Sequence, residues 1–70
     1  MEKNIITLFK DAGMWKARFS GPHAEKVRFL FGADTLPTAF TDATAPEFVL
    51  AQLRELNPGV DVKLAVQLPA

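Results

Sequence analysis

The chain has no cysteine and no tyrosine, and only one histidine and one tryptophan among its 70 residues. Lack of cysteine excludes both a disulfide framework and a thiolate zinc site. Of the usual supports of a small fold, that leaves good packing or self-association. With His23 as the only imidazole and no thiol or phenol, the common nucleophilic and acid–base constellations have almost no material, so a non-enzymatic protein is expected. Long apolar runs are missing as well. The first, Ile5–Phe9, is far too short to span a bilayer, and no basic leader with a long apolar stretch precedes a cleavage site. Neither sign of charge is in excess, since eight Lys and Arg balance eight Asp and Glu. The expected setting is a soluble, cytoplasmic protein without membrane attachment.

What is present is apolar enough to fold. Hydrophobic residues make up 49% of the chain, which argues against intrinsic disorder. One domain covers residues 1–70, and a chain this short buries only about 60% of the surface its unfolded form exposes. Its stability is expected to be modest or borrowed from a partner. Charge is unevenly placed. Six basic against three acidic residues give positions 1–32 a charge of +3, and two against five give positions 33–70 a charge of −3. A polar molecule of this kind favours association with itself.

Two strand patterns open the chain. Asn4–Lys10 is rich in Ile, Thr, Leu and Phe, while Met14–Ser20 alternates Trp15, Ala17 and Phe19 with Lys16 and Arg18. Asp11-Ala12-Gly13 between them predicts an antiparallel hairpin with a three-residue loop or a bulge. Pro22 suits the first position of a helix capped by Ser20 or Gly21, with Ala24, Val27, Leu30 and Phe31 on its stripe and Phe29 at the margin or exposed. Gly32 can take the left-handed conformation that closes it. Thr44-Ala45-Pro46-Glu47 has capping-box spacing and predicts a second helix with Val49, Leu53 and Leu56 inward, ended by Asn57-Pro58-Gly59. From Val60 to Leu68, apolar and polar residues alternate as in a strand with one buried face.

Between the helices lies Leu30–Thr41, LFGADTLPTAFT. Pro37 removes a donor and keeps Leu36 out of the helical region, and Thr35, Thr38 and Thr41 favour extended backbone. A short crossing or edge strand is expected there, pinned by Leu36 and Phe40. Asp34, Thr35, Thr38 and Thr41 could converge on a small polar ligand, or their side chains could satisfy the local backbone. The wording LFGADTLPTAF and the LNPGV that ends the second helix resemble small bacterial proteins, a resemblance that implies no activity.

Together these elements predict an α+β two-layer sandwich: a small three- to four-stranded sheet in the order β-β-α-(β)-α-β, with two helices on one face. The uncovered face would show Ile5, Thr7, Phe9, Met14, Lys16, Arg18, Lys63, Ala65 and Gln67. Contiguous apolar surface usually marks an interface. Ile5, Phe9, Met14, Lys16 and Arg18 are therefore the candidate contact residues, and a homodimer through this face or an edge strand is expected, with another protein as a further partner. Phe9, Lys16 and Arg18 also suggest the aromatic and basic groups of a nucleic-acid surface. The zero net charge and the missing ribonucleoprotein motif place that reading second. Ser20 and His23 are close enough to suggest a nucleophile and base, but no carboxylate is placed to orient the ring. No metal-ligand spacing and no glycine-rich phosphate loop is present, so no metal or cofactor is expected.

Overall fold

The computed structural model of the chain describes residues 3–65. It is an α+β fold with a four-stranded mixed sheet. The elements are β1 (Ile5–Asp11), β2 (Met14–Ser20), α1 (Pro22–Phe31), β3 (Thr35–Thr41), α2 (Pro46–Leu56) and β4 (Asp61–Leu64). Sheet order is β3-β2-β1-β4. The first three strands are antiparallel neighbours, and β4 runs parallel to β1. β3 and β4 are thus the two edges, and α2 makes the crossover between them.

Register explains which residues form the core. Ile6 faces Phe19 and Val62 across the ladders, and Leu8 faces Ala17 and Leu64. Because side chains alternate along a strand, these residues share one side of the sheet. α2 lies on that side through the fully buried Val49, and Ile6, Leu8, Trp15, Ala17, Val49 and Val62 form one cluster. Burying an aliphatic side chain of this size contributes about 1.5–3 kcal/mol. The Trp15 indole N–H donates to the Thr44 carbonyl at 3.0 Å, so the ring fixes the turn that leads into α2. At the other end of the helix, the Arg54 guanidinium donates to the Val62 carbonyl of β4 at 3.3 Å. α1 meets the same side at its first turn, where the His23 ring stacks on Phe19 with centroids 6.1 Å apart.

Three local expectations are corrected by the structure. The hairpin loop has two residues, not three: Asp11 pairs with Met14, and Ala12 and Gly13 both have positive φ, 54° and 80°. This is the twist that a tight hairpin requires. The Thr44–Glu47 capping box does not form. Pro46 is already the first helical residue, so Ala45 takes the cap position and Thr44 falls one residue outside it. Gly21 takes the cap position of α1 and Pro22 the first helical one, as expected, with no side-chain bond from the cap residue itself. A side-chain bond to the first turn comes from Asn4, the residue before β1, whose Oδ1 accepts the His23 N–H at 2.7 Å. Lastly, Leu30, Phe31 and Leu56 sit on predicted core stripes but are 61%, 63% and 72% exposed. Only Ala24 and Val27 of α1 are buried, so its last turn projects beyond what packs beneath it.

Gly21 is fixed by its surroundings. Its φ of 93° is one that side chains rarely adopt, and a Cβ there would lie 2.2 Å from the Lys3 carbonyl oxygen. The last strand follows the predicted alternation through Leu64, and the Ala65 N–H still donates to the Leu8 carbonyl at 2.8 Å. The expected continuation through Val66, Gln67 and Leu68 lies outside the described residues.

Candidate interaction surface

The sheet turns two different faces outward. On the side away from α2, alternation gathers Ile5, Thr7 and Phe9 of β1, Met14, Lys16 and Arg18 of β2, and Lys63 of β4, in cross-strand register. The five expected contact residues, Ile5, Phe9, Met14, Lys16 and Arg18, therefore share one face. Its apolar members are only half-open: Ile5, Phe9 and Met14 are all of intermediate exposure. Its basic members are already engaged. The Arg18 guanidinium lies 5.3 Å from the centroid of the Phe9 ring, an attractive cation–π arrangement. Lys16 Nζ is 2.7 Å from the Asp11 carboxylate. This face is thus covered in part by its own charged side chains.

The polar residues of the expected crossing do not converge. β3 is a full strand on the outside of β2, with Thr35 opposite Arg18 and Thr41 opposite Met14, both on the far face. Thr38 works within the ladder. Between Met14 and Lys16 the register shifts, because β3 carries extra residues opposite Trp15. The Trp15 carbonyl left over there accepts the Thr38 hydroxyl at 2.7 Å, and Thr38 Oγ1 in turn accepts the Phe40 N–H at 3.2 Å. Asp34 uses its carbonyl for the Phe19 N–H and its carboxylate for Arg28 at 3.5 Å and the Thr35 hydroxyl at 3.3 Å. These are side chains closing a bulge and a turn.

The larger apolar exposure is on the helix side. Phe29 is 87% exposed, Phe48 51%, and Leu30, Phe31 and Leu56 each more than half. A groove of about 290 Å³, which Leu56 helps to line, runs between α2 and β3, with Ala17, Phe19, Leu36, Phe40 and Leu53 among its other lining residues. It exists because α2 rests on the β1 and β4 side of the sheet, and contacts β3 mainly where Phe48 meets Phe40 edge-on at 5.7 Å. Of the two expected anchors, Phe40 packs against the core, and both Leu36 and Phe40 line the groove. The sequence hints at this surface only at Phe29, the apolar residue off its helix stripe.

The edge of β3 is blunted. Since the Phe19 N–H bonds the Asp34 carbonyl, ladder alternation turns the Leu36 amide toward β2 and the backbone nitrogens of Thr35 and Pro37 outward. Pro37 has no N–H to offer a further strand, which is where proline is tolerated in a sheet. At the opposite edge β4 is only four residues long, with Asp61 and Lys63 exposed. Both edges carry features that discourage strand addition.

Ser20 is half-buried at the end of β2, and His23 is exposed with its ring against Phe19. Among the described residues no group of three His, Asp or Glu side chains could hold a metal ion, and no helix is long and apolar enough to cross a membrane. Comparison with protein-family models, with curated proteins and with solved structures finds no match for this chain.

Proposed function

We propose that this protein is a small, non-enzymatic protein-interaction module that works as a homodimer. The observation that carries this reading is the exposure of five large apolar side chains, Phe29, Leu30, Phe31, Phe48 and Leu56, on one small domain that also carries an open apolar groove. Apolar surface of that extent on a soluble domain marks a contact with another protein. A second copy is favoured as that protein because the chain has zero net charge, so two copies meet without net repulsion. The helix side, rather than the sheet face of Ile5, Phe9 and Met14, is the better-supported contact surface, since more of its apolar area is open.

Single-stranded nucleic acid on Phe9, Lys16 and Arg18 has less support. Stacking a base on Phe9 requires displacing Arg18, and a phosphate at Lys16 competes with Asp11 at 2.7 Å. A small ligand on Asp34, Thr35, Thr38 and Thr41 has less again, because their polar groups are divided between the strand's own bonds and opposite faces. Absolute mass by light scattering over a dilution series tests the reading. A dimer persisting into the low-micromolar range is expected, and a monomer at every concentration would overturn it.

A further inference from the structure

We infer that the dimer forms reciprocally, the Phe29, Leu30 and Phe31 turn of each α1 entering the groove between α2 and β3 of the other copy, with Lys26 of one copy paired to Glu55 of the other. This rests on the homodimer reading and names its seam.

Shape comes first. Three consecutive residues on a helix point about 100° apart, and the surface beneath α1 buries only Ala24 and Val27, which leaves Phe29, Leu30 and Phe31 open. Phe29, Leu30 and Phe31 therefore form a convex apolar knob at the end of α1. The groove is its concave counterpart, with Ala17 and Phe19 as floor, Leu36 and Phe40 as one wall, and Leu53 and Leu56 as the other.

Charge then selects the occupant. Lys26 is exposed, and it stands three and four residues before Phe29 and Leu30, on the same flank of α1. The other cation nearby, Arg28, already meets Asp34 at 3.5 Å. Across the groove, Glu55 follows Phe48 by seven residues and so shares the flank of α2 that overlooks β3, the flank on which Phe48 touches Phe40. Arg54 is turned the other way, to the Val62 carbonyl of β4. Lys26 thus offers a cation between Phe29 and Leu30, with Glu25 on the outer side of Phe29, and Glu55 offers an anion at the groove; neither Lys26 nor Glu55 has an ion-pair partner among the described residues.

Position makes the exchange two-fold. Only the Gly32–Asp34 turn separates Phe31 from β3, the strand that forms one side of the groove. A two-fold axis near that turn satisfies both pairs at once, as an isologous dimer requires. Strand pairing across β3 is the obvious rival, and Pro37 opposes it.

Charge exchange in the full-length chain tests the seam, with dissociation constants from sedimentation equilibrium and circular dichroism as the fold control. All substituted positions are exposed except Phe9, which is half-open. Lys26→Glu and Glu55→Lys should each weaken the dimer about tenfold, because two symmetry-related attractive pairs become repulsive. The double variant K26E/E55K should return to within about threefold of the original, as only a direct pair can do. Leu56→Asp should abolish the dimer, and Phe9→Glu should leave it intact. If the original chain dimerises but the single variants match it, or the double variant is no tighter than the weaker single, the seam lies elsewhere and the inference fails alone. A folded but monomeric Phe9→Glu would also overturn it, in favour of the far sheet face. A monomeric original chain would remove the homodimer reading itself.

Discussion

Ala12 holds a left-handed conformation, φ 54°, that side chains other than Asn, Asp and Gly occupy at a cost of roughly 1–2 kcal/mol. The hairpin imposes it. With Asp11 paired to Met14 and its carboxylate holding Lys16, only two residues remain to reverse the chain. Ala12→Asn keeps the loop length and supplies a residue suited to that position, so it should stabilise the domain by about 0.5–1 kcal/mol. The urea midpoint should rise with an unchanged slope, and an unchanged or lower midpoint would mean that the turn carries no strain to relieve. The local signal was ambiguous here. Asp11-Ala12-Gly13 reads as turn residues in any register, and what shortens the loop is a cross-strand pairing that no three-residue window contains.

Local pattern and distant partner divide in the same way at the scale of elements. The alternation of Trp15, Ala17 and Phe19 with Lys16 and Arg18, the proline–glycine boundaries of α1 and the Val49 stripe of α2 were enough to place five of the six elements and the sidedness of the sheet. β3 was harder because Pro37 argues against a strand unless its nitrogen faces outward, which depends on the ladder with β2. Asn4 capping α1 from 19 residues away is likewise invisible in the sequence near the helix. The groove is hidden from the sequence for a related reason. Periodicity shows that Leu53 and Leu56 share a stripe, but not that α2 leaves part of the sheet beside β3 uncovered. Pro37 is the element-scale lever. Pro37→Thr restores an outward N–H on a seven-residue edge strand while keeping β propensity. It should convert discrete dimers into larger, concentration-dependent assemblies detectable by light scattering. A variant that stays at the original mass would show that the β3 bulge alone protects the edge.

For the molecule as a whole, size and surface point the same way. Among the described residues, six fully or nearly buried side chains form one core cluster, and a domain of this small size keeps little stability in reserve. Burying the α1 knob and the α2–β3 groove against a second copy adds apolar area that the monomer cannot cover. In the proposed dimer, folding and association are linked by mass action, so the melting temperature should depend on protein concentration. With about 0.7 kcal/mol of unfolding enthalpy per residue, a dimer of two such chains should lose about 5 °C for each tenfold dilution. Leu56→Asp should melt lower than the original chain at high concentration and show no dependence on dilution, because its folding no longer draws on a partner. Calorimetry or circular dichroism over a hundredfold range separates the two behaviours. A midpoint in the original chain that ignores dilution would mean that the monomer's own core suffices and that association contributes nothing to its fold.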